Sequence, residues 1–508
     1  MTMIGFQGRK TYRLSIGSQH MDANSVKTES LPRSDHLRAW LPLILATTAY
    51  LILIGKIGEI LRDADTYWHV VVGEWIIDHR AVPYVDPFSF TKHGAPWITS
   101  AWLSEVLYFL AFKLAGWLGP ALLAALAAST AFFLLAHCLL KRLSNVPVTI
   151  LVSAGIAMTV HHILARPHVL IFPLMVLWVD GLLRATDARR TPPWTYLLII
   201  TLWANLHGSF TLGIAMIAPF ALEAIWNADK SSRLTVALHW FRFGVLALGA
   251  GCVTPYGIES ILVTTRILSL GSVLSTIGEW RPIDFGSLHP FTVCLLGGAA
   301  YALYSGFKLP FLRMAALLAL VYETLAHQRY VDVFAMVAPF LIADPLAQHV
   351  LRQEHRKAIP ARTTHLITFF AVVSIVTGVI LVTKDRSLPL VPGAAVEKLK
   401  ERKADRVLND YYFGGYLIFQ RMPTFIDSRA ELYGPEFLSR YMRVLSLEDI
   451  PDFIKLLDEY KIDSTLLFPT TPAVGLLDRL PEWERAYSDD VAVAHVRRRH
   501  PESVATSK

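Results

Sequence analysis

Charge is scarce in this sequence. Of 508 residues only 18% are Asp, Glu, Lys or Arg, against roughly 25% in soluble domains. With 53% of its residues hydrophobic, the chain falls outside the ordinary soluble class and reads as a polytopic membrane protein. Cysteine is scarcer still. Cys138, Cys252 and Cys294 lie in or beside apolar runs, with neither metal-ligand spacing nor a disulfide framework. There is no G-x-G-x-x-G or P-loop, no G-x-S-x-G elbow and no H-E-x-x-H. Nucleotide binding, hydrolase-type serine chemistry and zincin chemistry therefore lack support. No internal repeat is visible, which weakens an inverted-repeat transporter reading. The net charge of +7 is not read as a nucleic-acid footprint, because Lys and Arg in a membrane protein report topology first. No nucleic-acid partner is expected.

What the chain has in abundance is apolar runs. They predict about eleven spanning helices, near 39–61, 119–140, 146–163, 168–184, 194–206, 209–227, 236–253, 289–306, 309–327, 331–349 and 364–383. Several are shorter than the ~20 residues that a bilayer asks for, so short or broken helices are expected. Residues 1–38 are polar and basic, with no small-residue cleavage site after the first apolar run. They read as a disordered cytoplasmic tail before an uncleaved helix.

Connections of two kinds alternate. "KRLSN", "RATDARR", "NADKSSR", "GFK" and "LRQEHRKAIPAR" are basic and mark the cytoplasmic side. Residues 62–118, "HHILARPH", "NLHGS", residues 254–288 and "HQRY" carry His, Arg, Asp and Trp and fall on the opposite face. This sorting requires that 102–117, with Glu105 and Lys113, lie along or re-enter the interface rather than span. The expected units are thus 1–38, a membrane domain over 39–387 with a first external loop at 62–118, and 388–508. In the last, strand-like and helix-like pieces alternate as in a small soluble α/β domain, placed externally by the helix count.

The first external loop opens on "RDADTYWHVVVGEW". Asp63 and Asp65 form a D-x-D at the exit of the first helix. As a bare pattern the pair fits a hydrated helix cap. Its position also suits a carboxylate that takes a proton from an acceptor hydroxyl, or one that ligates a divalent cation such as Mg2+, Mn2+ or Ca2+. Arg166 in "ARPH", with His168 beside it, reads either as a snorkelling anchor or as a phosphate grip, since a guanidinium offers bidentate contacts. His207 in "NLHGS" is either a helix-end residue or a polar substrate contact. Trp280 and Arg281 in "GEWRPIDF" suit sugar stacking or an interfacial anchor. His327 and Arg329 in "HQRY" form a charged helix end or a functional cluster. His69 and Glu105 are further polar residues of the first loop.

In this order the pieces resemble the GT-C superfamily of integral-membrane glycosyltransferases, which use lipid-phosphate-linked sugars. The likeness is closest to a bacterial branch with D-x-D-x-x-W-H, "DPFSFT", "WLSE", "RPH", N-x-H-G, "TPYG", "EWRP", "HQRY", "NDYYFGGYLI" and "FIDSRAELYG". It covers most of residues 45–500. The resemblance implies a mainly α, GT-C-like membrane domain in a bacterial cytoplasmic (inner) membrane, with a periplasmic C-terminal domain. It implies a polyprenyl-phosphate sugar as donor and a lipid, glycan or protein hydroxyl as acceptor. Asp63 or Asp65 would be catalytic base or metal ligand. Arg166, Arg281 and Arg329 would hold the lipid phosphate, with His168, His207 and His327 as further substrate or phosphate contacts. His69, Glu105 and Trp280 would contact acceptor or sugar. The lysine-proline-proline segment of the aminoarabinose and protein-mannosyl branches is missing, and "APWITSAWLSE" takes its place, so those acceptors do not carry over. Two other readings stand beside this one: a transporter or flippase for an amphiphile, and a non-catalytic scaffold.

Overall fold

A computed structural model gives the fold, and the residues it describes are 33–271, 274, 278–354 and 391–498. The tail before residue 33, the helix expected near 364–383 and the basic stretch from residue 355 lie outside the described residues. So does the C-terminus from residue 499.

The described chain is mostly helical, with one small sheet near the C-terminus. The other ten expected apolar runs coincide with helices. Four are long and apolar enough to cross a membrane: Arg38–Gly55, Leu118–Leu140, Arg233–Gly251 and Gln328–Leu351. Asn145–Thr159, Trp194–Leu206, Phe210–Trp226 and Pro290–Ser305 are apolar but shorter. Small residues let the helices meet closely. Ala121, Ala124, Ala125, Ala128 and Ala131 of helix Leu118–Leu140 are all fully buried in the main core. Elsewhere large apolar side chains face outward, including Leu238, Phe241, Leu248, Leu296 and Leu303. Apolar surface of this kind needs cover from lipid or protein.

At the helix ends away from Asp63, Arg313 bonds Glu223 at 2.8 Å, Asp187 at 3.1 Å and Asp344 at 3.1 Å. Arg142 pairs with the same two aspartates at 2.6 Å. The network lines a cavity of about 700 Å³, but its charges are spent on one another. It ties helix ends together, as a buried paired network does.

The sheet has the order β1-β2-β4-β3, with β1 Val407–Asn409, β2 Ser464–Leu467, β3 Trp483–Ser488 and β4 Val493–Arg497. β1 and β2 are parallel; β4 is antiparallel to both neighbours. The first loop extends it. Ser89 of "DPFSFT" bridges Thr424 in parallel, and Thr424 bridges Val407 of β1. A side-chain-capped turn stands at Asp86-Pro87. Asp86 accepts the N–H groups of Phe88 at 3.0 Å and Ser89 at 3.1 Å. The same carboxylate takes Arg429 at 2.7 Å.

Arg429 also forks onto Asp427 at 2.7 and 2.6 Å, and Tyr433 donates to Asp427 at 2.8 Å. The guanidinium lies over the rings of Trp97 and Phe88. This buried cluster joins the first loop to the C-terminal unit. Burial works against the charge of Asp427, but Arg429 outweighs it and holds the carboxyl below its ordinary range.

Candidate active site

The D-x-D follows a short turn, Ile57–Ile60, after the first long helix. Asp65 is the first residue of helix Asp65–His79, where a carboxylate is favoured by the helix dipole. Asp63 Oδ1 accepts the Asp65 N–H at 2.9 Å. The capping reading of the pair is therefore realised in part, and it leaves Asp63 Oδ2 and Asp65 Oδ2 facing Arg166.

Arg166 is placed by its neighbours. Pro167 restricts it to extended backbone, at φ −121 and ψ 155. Ala165 N–H donates to the Ile60 carbonyl at 2.9 Å, and the Tyr108 hydroxyl donates to the Arg166 carbonyl at 2.8 Å. "RPH" is thereby fixed beside the D-x-D. Arg166 Nε pairs with Asp63 Oδ2. One terminal nitrogen reaches Asp65 Oδ2 at 2.6 Å, and the other reaches Glu279 Oε2 at 2.7 Å. Glu279 Oε1 in turn takes Arg329 at 3.3 Å.

"EWRP" and "HQRY" form one substructure. His327 Nδ1 is 3.0 Å from the Trp280 carbonyl, and Gln328 N–H donates to the Arg281 carbonyl at 3.0 Å. Arg329 lies 4.3 Å from the Trp280 ring centre, a cation–π pair. Arg281 is exposed, while its backbone serves this junction. His168 and His207 stand with ring centres 6.3 Å apart. His207 Nδ1 accepts the Ser209 N–H at 3.1 Å.

His69 and Glu105 lie beneath this rim. His69 Nδ1 is 3.2 Å from Glu105 Oε1, which also accepts from the Thr99 hydroxyl at 2.7 Å. Glu105 is fully buried. Burial raises its carboxyl to about 8 and pushes His69 well down. Both shifts favour a neutral hydrogen-bonded pair over an ion pair. Close approach here needs glycine, since a Cβ on Gly73 would stand 2.1 Å from the Glu105 carbonyl oxygen.

The C-terminal unit reaches the same place. Helix Gly414–Phe419 meets the D-x-D backbone at Ala64. The Ser428 hydroxyl accepts from the Trp68 indole N–H at 3.0 Å and lies beside Asp65, where it favours the ionised carboxylate. Sequence reading did not single out Ser428 or the pairing of Glu279 with Arg166. The signals available were a dense polar run, "IDSR", after an apolar "TF", and a Glu beside the Trp of "EWRP".

The electrostatics separate these carboxylates. Burial raises Asp65 to about 7, against the pull of Arg166 and with the help of Asp63. Burial also works against the charge of Glu279, but Arg329 and Arg166 together hold it down at about 2. Burial, with Arg329 and Arg166 adding to it, lowers His207 to about 3 and keeps it neutral. One carboxylate near neutrality beside one that stays ionised is the division that general-base chemistry uses.

No family model matches the sequence, and no curated protein does either. Solved structures do match. The archaeal oligosaccharyltransferase AglB from Archaeoglobus fulgidus, in complex with an inhibitory peptide and a dolichol-phosphate, superposes with a TM-score of 0.57. The match covers 85% of this chain and 70% of that one at 12% identity. This chain has the GT-C fold. An Archaeoglobus fulgidus oligosaccharyltransferase in complex with Zn and sulfate gives 0.50 over 83% of this chain and 67% of that one, at 12% identity. ArnT from Cupriavidus metallidurans, bound to undecaprenyl phosphate, aligns over 90% of this chain and 98% of its own with a TM-score of 0.32 and 10% identity.

A fold neighbour solved with zinc raises the question of a cation here. Asp63 and Asp65, expected as base or alternatively as cation ligands, do not fit a cation as they stand, because both are engaged by the Arg166 guanidinium. Among the described residues no group of three His, Cys, Asp or Glu side chains is arranged to hold a metal ion.

Proposed function

We propose that this GT-C chain is a glycosyltransferase that moves a sugar from a polyprenyl-phosphate donor to a hydroxyl of a lipid, glycan or protein. The observation that carries the reading is the convergence of Asp63, Asp65 and Glu279 on Arg166, with Arg329 beside them, at one end of this fold. The dolichol-phosphate and peptide bound by AglB support a lipid-phosphate donor.

Asp65 accepts the proton of the acceptor hydroxyl as its oxygen forms a bond to the sugar's anomeric carbon. The bond from that carbon to the phosphate oxygen breaks, and its electron pair leaves with the lipid phosphate. Arg166 and Arg329 face the departing phosphate, whose charge grows through the step. Trp280 offers a ring face to the sugar, and His168 and His207 are neutral contacts at the rim. Arg281 lies on the approach for the anionic headgroup. His69 and Glu105 hold the helix that carries Asp65. This end of the bundle, with the C-terminal unit over it, faces the outside of a bacterial inner membrane, and about eleven spans carry it there.

Purified protein incubated with polyprenyl-phosphate sugars and extracted envelope acceptors tests the reading. Transfer of labelled sugar supports it. Lipid binding and translocation with the sugar–phosphate bond always intact would favour the flippase reading. A periplasmic reporter fused after residue 384 should be active, and cytoplasmic reporter activity there would overturn the orientation.

A further inference from the structure

The three carboxylates present six oxygens, and five are already spoken for. Asp63 Oδ1 holds the Asp65 N–H at 2.9 Å and Oδ2 pairs with Arg166. Asp65 Oδ2 holds Arg166 at 2.6 Å. Glu279 Oε2 holds Arg166 at 2.7 Å and Oε1 holds Arg329 at 3.3 Å. Asp65 Oδ1 is the one oxygen left without a guanidinium or N–H partner among the described residues, and the Ser428 hydroxyl lies beside this carboxylate.

We infer that the Arg166 guanidinium takes the place of a divalent cation in this site, so that sugar transfer by this chain runs without a metal. The inference rests on the glycosyltransferase reading above, but its physical basis is separate. A hard dication collects oxygens around an open centre. Here that centre is filled by a planar cation with one nitrogen for each carboxylate, the geometry in which arginine binds strongly. A metal would have to displace a charge-assisted pair and then sit against the guanidinium's own charge.

The arginine is anchored at its backbone beside the D-x-D. Its backbone is fixed by Pro167, by the Tyr108 hydroxyl at 2.8 Å and by the Ala165–Ile60 hydrogen bond at 2.9 Å. Arg166 also supplies what a metal supplies in group transfer. It orients the base and carries positive charge to the leaving phosphate. The Asp65 carboxylate, with the Ser428 hydroxyl beside it, then receives the proton on the oxygen that Arg166 does not hold.

The test uses the full chain in nanodiscs and has two arms. In the first, transfer from a polyprenyl-phosphate sugar is measured after EDTA treatment and after adding back Mg2+ or Mn2+. Rates unchanged within about twofold are expected. A loss of more than tenfold that either ion restores would overturn the inference. In the second, Mn2+ binding is read by electron paramagnetic resonance, which needs no turnover. The unmodified protein should bind no stoichiometric Mn2+, whereas Arg166→Ala frees the carboxylates and should acquire binding that Asp63→Asn removes. Stoichiometric Mn2+ on the unmodified protein, lost in Asp63→Asn, would refute it even if Arg166→Ala fails to fold. Absence of any transfer would count against the glycosyltransferase reading, and the Mn2+ arm would still decide the question of the cation.

Discussion

Gly415 touches Ala64. A Cβ on Gly415 would stand 2.3 Å from the Ala64 carbonyl oxygen, and Ala64 is the residue between the two site aspartates. The C-terminal unit therefore rests on the D-x-D itself. Its "FGG" is a close-approach surface, where the backbone of one element lies against that of another.

Gly415→Ala should push the C-terminal unit away from the D-x-D. Overpacking of this kind costs about 1–3 kcal/mol, and transfer should fall more than tenfold in a radiolabel assay. Gly475→Ala, where an added Cβ meets nothing within 4 Å, should leave transfer unchanged and should not lower thermal stability, since Ala suits the helix Pro472–Leu477 better than Gly.

Asp65→Asn should lower kcat by about 10²–10⁴, the usual worth of a general base, with donor binding retained in a filter-binding assay. Asp63→Asn keeps a group that can accept the Asp65 N–H but weakens the pairing with Arg166. A smaller loss is expected there. Equal losses in the two variants would remove the distinction between base and positioning residue.

The pH profile follows from Asp65, which burial lifts to about 7. A base must be ionised to work, so kcat should rise roughly tenfold per pH unit below that value and level off above it. Glu279, held at about 2, adds no limb in this range. Ser428→Ala removes a hydroxyl that favours the ionised Asp65, so the limb should move to higher pH. A merely structural loss would lower the plateau without moving the limb.

Arg429→Met should destabilise the protein by about 3–5 kcal/mol, because it leaves Asp86 and Asp427 as buried charges without their partner. A lower melting temperature and faster proteolysis at the junction of loop and C-terminal unit would register this. Arg429→Lys should recover only part, since an ammonium cannot fork onto Asp427 and also reach Asp86.

Much of this protein was legible along the chain because membrane physics is local. Apolar runs must satisfy their own backbone, so ten of the expected segments coincide with helices. The D-x-D, "RPH", "EWRP" and "HQRY" stood out as polar residues at the ends of apolar runs, where charge is costly without a purpose. Their grouping on one face came from the alternation of loop charges.

What the chain alone could not give was the pairing. That Arg166 would face Glu279 across 113 residues, or that Asp86 would find Arg429 across 343, depends on which helix ends meet. So does the role of Asp63, which caps the helix of Asp65 while pairing with Arg166. Sequence by itself determined the elements and the residue types at their ends, because burial and backbone satisfaction act within a segment. Only the tertiary structure decided which carboxylate lies near neutrality and what fills the space between Asp63 and Asp65, because desolvation and ion pairing depend on neighbours brought from elsewhere in the chain.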